Sequence, residues 1–125
     1  MTLHNSTPAH LARAAVEGVL CGLADALDAL TAQGARIDRV RLVGGAAASV
    51  AVRQIAPTVF GVPVVVPPPG EYVADGAARQ AAWALTGELP TWTVDTASAG
   101  ISQPASDARA RYTEARQHWI ARASD

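Results

Sequence analysis

The sequence predicts an α/β domain on a short parallel sheet, in the order α-β-α-β-α with one further C-terminal helix. Two apolar runs, RVRLV and VPVVV, are short and branched enough to be strands, and a helical stretch follows each. The second run is nearly unbroken valine, the mark of a strand covered on both faces of a parallel sheet. Both strands leave through glycine-bearing turns, Gly44-Gly45 and Pro67-Pro68-Pro69-Gly70, that deliver the chain to the next helix.

Thr7-Pro8 reads as an N-cap with proline at the first helical position, opening a helix expected over residues 8–32. Leu11, Ala15, Val19, Leu23, Leu27 and Leu30 recur at helical steps and are expected to form its apolar stripe. Val16 and Leu20 widen that stripe, so burial on more than one side is expected. Gly34 ends the helix. Residues 39–43 are the first strand. The second helix is expected over residues 47–60, kinked or shortened by Pro57 and stopped by Gly61. Residues 62–66 are the second strand, and the proline run is its rigid exit. The third helix runs from Tyr72 to Thr86 and ends at Gly87, with Asp75 in its first turn, where negative charge suits the dipole. Gly76, Ala77, Ala81 and Ala82 give it a small-residue surface for close packing. Residues 87–106, with Pro90, Gly100 and Pro104, read as an irregular loop. Asp107 caps a C-terminal helix, residues 107–123, with Tyr112, Ala115 and Trp119 as its apolar stripe and Asp107 paired to Arg111.

The 125 residues suit one domain. Half are apolar, but much of that is alanine, so little area is buried per residue and the core is thin. The formal net charge is −1, with no basic patch of the kind that nucleic acid or an anionic membrane requires. All ten basic residues are arginine. Without lysine there is no P-loop lysine and no Schiff base. Cys21, the only cysteine, lies in an apolar helical pattern. It reads as an inert buried thiol, and a reducing cytoplasm is the expected compartment. The first ten residues lack the basic and apolar regions of a signal peptide, and no apolar run is long enough to span a bilayer. His4, His10 and His118 lack metal-ligand spacing, and no serine or cysteine stands in a nucleophile motif. A dinucleotide-binding G-x-G-x-x-G is missing, and Pro67 stands where an acidic residue would end the second strand.

Gly44-Gly45 is the strongest candidate site. Small side chains and unpaired amides at a helix start admit a nucleotide, although the same pair also serves as a plain tight turn. Asp75 reads as a helix-terminal charge, Glu71 as a cap or a ligand, and Glu17 as the ion-pair partner of Arg13. Arg53 and Arg79 are available cations outside any phosphate-binding motif. Two strands are too few for a sheet covered on both faces, so the chain is expected to belong to a larger domain or to complete its sheet with another chain.

TPAHLARAAVEG, VGGAAAS, FGVPVVVP, EYVADGAARQAAW and ARYTEAR together span residues 3–116. In this order and spacing they resemble the C-terminal part of the FGGY carbohydrate kinase family, and EYVADGAARQAAW is most similar to the bacterial xylulokinases. The resemblance implies a partial actin-like, ribonuclease H-like ATPase domain, with residues 1–125 forming the C-terminal portion of the kinase's second domain. It makes VGGAAAS the adenosine motif, with Gly44, Gly45 and Ala46 against the nucleotide and Ser49 approaching the adenine. Many relatives carry Gly at the place of Ala46 and Lys, Arg or Gln at that of Ala48, so this chain offers less room and one polar contact fewer. The implied ligands are ATP and Mg²⁺, with a pentulose in the complete enzyme. The family's catalytic aspartate, sugar-binding domain and Mg²⁺ ligands lie upstream of the matched region, so no catalytic or metal-binding residue is expected here.

The resemblance thus implies the adenosine-binding portion of a xylulokinase-like enzyme. Complete, it would move the γ-phosphate of ATP to the 5-hydroxyl of D-xylulose; as an isolated fragment it is expected to be inactive. The residues themselves leave one alternative open, a non-catalytic α/β module that forms a homo-oligomer through its incomplete sheet.

Overall fold

The computed structural model describes residues 6–92 and 100–123. Helix α1 spans Pro8–Ala32, and Thr7 caps it, its Oγ1 accepting from the His10 N–H at 3.3 Å. Strand β1 is Val40–Arg41, a 3₁₀ turn covers Gly45–Ala48, and α2 is Val50–Phe60. Strand β2 is Val64–Val65, α3 is Tyr72–Thr86, and α4 is Ala108–Ala123. The predicted order α-β-α-β-α plus a C-terminal helix holds.

The strands pair in parallel, with Val40 opposite Val64 and Arg41 opposite Val65. Val40 N–H donates to Pro63 O and Leu42 N–H to Val65 O, each at 2.9 Å. Both strands are shorter than the expected 39–43 and 62–66. A ladder lasts only where a partner lies beside it, and β1 has β2 on one edge only among the described residues. The outer edge of β2 is closed by Ile101, which exchanges hydrogen bonds with Val64 at 2.8 and 3.0 Å in antiparallel sense. The segment predicted to be wholly irregular therefore contributes a sheet contact. Residues 93–99 of that segment lie outside the described residues.

The core lies between α1, α2 and the sheet. Leu20, Cys21 and Ala24 of α1 meet Ile55, Ala56, Val59 and Phe60 of α2, with Val64 beneath them. The predicted stripe of α1 is buried only in part: Leu20 is in the core and Val16 and Leu27 pack against it. Val19 is 69% exposed, and Leu11, Leu23 and Leu30 also face outward. Helical periodicity identifies residues that share a face. Which face is buried depends on where α2 lies, and α2 meets the side of Leu20 and Ala24.

Helix α2 starts at Val50 rather than 47, because the 3₁₀ turn takes up Gly45–Ala48 and Ser49 becomes the N-cap. It runs on through the buried Pro57 to Phe60, so the proline does not shorten it. Gly61 ends it in the left-handed region, φ +68°, where only glycine is free of strain.

Helix α4 docks on α1 mainly through charge. Arg109 pairs with Asp28, Arg116 pairs with Asp25 at 3.0 Å, and the Tyr112 hydroxyl donates to Asp25 at 3.4 Å. Of the expected stripe, Tyr112 packs against the core, but Trp119 is 73% exposed. The predicted Arg13–Glu17 and Asp107–Arg111 pairs both form. Among the described residues no helix is long and apolar enough to cross a membrane.

Candidate functional site

The side chains of Val40 and Leu42 pack toward the core. Strand alternation therefore turns Arg41 and Val43 to the opposite face, toward α3. Beyond Val43 the chain leaves the sheet at Gly44, whose φ of +86° and extended ψ of −177° suit glycine alone. The 3₁₀ turn then bonds Ala47 N–H to Gly44 O at 3.0 Å and Ser49 N–H to Ala46 O at 3.1 Å. The amides of Gly45 and Ala46, its first residues, have no partner inside the turn.

This turn is one wall of an open cleft of about 860 Å³. Leu42, Val43, Gly44, Gly45, Ala47, Ala48 and Arg53 form the near side. Val66, Pro67–Gly70, Glu71, Tyr72 and Ile101 form the far side. The three prolines pre-set the extended path by which the chain leaves β2. Tyr72 fixes the end of that path, its hydroxyl donating to Pro68 O at 2.5 Å.

Of the four residues expected at the site, Gly44 and Gly45 line the cleft, whereas Ala46 and Ser49 do not. The Ser49 hydroxyl caps α2, accepting from Val52 N–H at 3.4 Å. Ala47 and Ala48 line the cleft instead. Arg53, foreseen only as a loose cation, reaches back from α2 and donates to Ala48 O at 3.1 Å. The proline wall was foreseen only as a strand exit. Its signal was the pairing of an unbroken β run with prolines at its C-terminal end, the end at which α/β sheets hold ligands.

A smaller hollow of about 290 Å³ adjoins the cleft across Val43 and Tyr72 and is lined also by Arg41, Asp75, Gly76, Arg79 and Trp92. Arg79 Nε is buried there without a hydrogen-bond partner among the described residues. Asp75 stands in the first turn of α3, as expected. Among the described residues no group of three His, Cys, Asp or Glu side chains is placed to hold a metal ion. Cys21, remote from the cleft, is buried, and desolvation pushes its thiol pKa up, with Arg109 partly opposing the shift.

Comparison with known proteins adds the family. Residues 1–85 match the C-terminal domain of the FGGY family of carbohydrate kinases. The chain belongs to that family. Among solved structures, the xylulose kinase from Bifidobacterium adolescentis superposes with a TM-score of 0.72 at 44% identity, over 93% of this chain and 23% of that one. The α/β arrangement is accordingly part of an actin-like ATPase fold. A xylulose kinase of Streptomyces coelicolor is 41% identical over 68% of this chain and 18% of its own length. A glycerol kinase of Rhodopirellula baltica is 43% identical over 58% of this chain and 14% of its own. The chain thus spans less than a quarter of each of these FGGY relatives. Its β1–turn–α2 unit, its proline wall and most of α3 fall inside the family match, and α4 lies beyond it.

Proposed function

We propose that the chain is the adenosine-binding portion of a sugar kinase and that Gly44 and Gly45 lie against the nucleotide. The reading rests on one observation: a positive-φ glycine turn, with free amides, opens onto a cleft closed on its far side by the proline wall. An aromatic base and a ribose need close backbone approach, and two adjacent glycines permit it. Ala46 acts through the shape of the turn, and Ser49 through the start of α2.

In the complete enzyme the reaction is transfer of the γ-phosphate of ATP to a sugar hydroxyl, with the 5-hydroxyl of D-xylulose as the acceptor. Residues 1–125 are then the C-terminal portion of the kinase's second domain, working in the cytoplasm. Such a transfer needs a positioned nucleophile, a metal and charge around the moving phosphoryl group. The described residues offer no such set, so the isolated chain binds nucleotide without turning it over. Mg²⁺ would enter with ATP and be held elsewhere in the complete enzyme.

Titration of the purified chain with ATP tests the binding, and a coupled assay with D-xylulose tests the inactivity. Saturable binding without turnover is expected. Sustained xylulose phosphorylation by the chain alone would sink the reading.

A second reading, self-association as a non-catalytic module, draws on the sheet edge. Val40 and Leu42 spend their amides on β2, so alternation turns the Arg41 amide to the other edge, where no strand lies among the described residues. A concentration-dependent rise in mass by sedimentation would favour it, and a monomer throughout would exclude it.

A further inference from the structure

Helix α4 lies beyond the family match and buries no residue of its own. Among the described residues it packs closely on α1 alone. Arg109, Tyr112 and Arg116 recur at steps of three and four and form its inner stripe. The facing stripe on α1 holds Asp25 and Asp28, with Cys21 one turn before Asp25. Arg109 pairs with Asp28, while Arg116 and Tyr112 both reach Asp25, so the two helices run antiparallel. Charge is sorted between them: α4 carries four arginines and one glutamate, α1 three carboxylates and one arginine. Each of the four charged side chains in the two ion pairs is at least 34% exposed, so dissolved salt reaches and screens them.

The entry to α4 is tied by other means. Ser106 N–H donates to Thr58 O on α2 at 2.9 Å, a main-chain bond that salt does not weaken in the same way. The helix is thus anchored at one end and latched by charge along its length. The apolar part of the dock is small: Ala108 and Tyr112 pack against the core cluster, to which Cys21 belongs. Cys21 is 2% exposed. Burial pushes its thiol pKa up, and Arg109 lies near enough to oppose the rise. We propose that α4 is a salt-releasable strap: hinged at Ser106 and latched on Asp25 and Asp28, it covers Cys21 and opens that thiol when it lifts. The core under it does not depend on the latch, because Leu20 and Ala24 of α1 are held by Ile55, Ala56, Val59 and Phe60. Lifting is therefore a local opening rather than loss of the fold. It makes the one thiol of the chain answer to ionic strength.

The test is the rate at which iodoacetamide labels Cys21 in the folded 125-residue chain, followed by mass spectrometry. Each rate is referred to that of the same chain unfolded in urea at the same salt, which removes changes in intrinsic reactivity. Sodium chloride is raised from about 0.01 M to about 1 M, which shortens the screening length from about 30 Å to about 3 Å. Labelling is expected to quicken about tenfold, the size of two exposed ion pairs lost together. The double variant Arg116→Gln, Tyr112→Phe removes both bonds to Asp25 from the α4 side. It is expected to label about tenfold faster at low salt and to respond less to added salt. Losing a cation cannot by itself lower the thiol pKa, so a faster rate in this variant reports opening. Urea denaturation at each salt and for each variant measures the fold as a whole. Labelling indifferent to both salt and the double variant would overturn the strap. So would labelling that rises only in step with a fall in global stability, since the thiol would then open with the entire fold.

Discussion

Helices α2 and α3 each follow a strand and a glycine-bearing turn, yet they end in different surroundings. Helix α2 buries Ile55, Ala56, Pro57, Val59 and Phe60, while α3 buries nothing. Both carry small residues suited to close packing. The difference lies in what faces them. Helix α2 has α1 across from it and β2 below, whereas α3 packs closely on no other element among the described residues. A helix gains most of its stability from the surface it covers, not from its own propensity. One half of this chain is thus a packed layer, and the other is a helix whose small-residue surface has no close partner among the described residues. That asymmetry fits a chain that spans 23% of the length of its structural neighbour.

The comparison can be broken at several places. The largest effect is expected in the packed layer. Phe60→Ala should cost about 3–5 kcal/mol, enough to unfold a domain with so thin a core, and urea denaturation would measure it. No loss of stability would mean that the layer is not the core.

Cys21 sharpens the contrast from within the same layer. Its thiol should react with an alkylating reagent far more slowly in the folded chain than in urea. Because the folded thiol has the raised pKa, the unfolded chain releases its proton first as pH rises. Stability from this group is therefore complete below the unfolded value of about 8.5 and is lost as pH climbs through the folded one. Melting temperatures across that window should fall for the native chain and stay flatter for Cys21→Ala.

Arg116→Ala removes the ion pair that ties α4 to Asp25 in a solvent-exposed setting, and a loss of no more than about 1 kcal/mol is expected. The smallest effect should be on α3. Leu85 is 87% exposed, so Leu85→Ala should shift stability by no more than about 0.5 kcal/mol in either direction. A loss as large as that of Phe60→Ala would show that α3 has a packed partner after all.

The helix ends were the most legible part of the sequence, because each is local chemistry. Thr7-Pro8, Gly61 and Gly87 each mark a boundary through a side chain or a dihedral angle of their own. The strands were legible as to place but not length, since pairing depends on a neighbour elsewhere in the chain. The buried face of α1 was legible only in part for a related reason: the Leu11–Val19–Leu23 side and the Leu20–Ala24 side are both apolar, and only the position of α2 chooses between them. At the site, the turn residues Gly44 and Gly45 were legible because their geometry is intrinsic. Arg53 was not, since its reach back to Ala48 crosses a turn and depends on how α2 begins.

The three prolines after β2 have one further consequence. A proline has no amide hydrogen, so Pro67, Pro68 and Pro69 can offer carbonyl oxygens to this rim but no main-chain proton. The opposite rim, at Gly45, has the reverse bias. The cleft is therefore polarised across its width, electron-rich on one lip and proton-rich on the other.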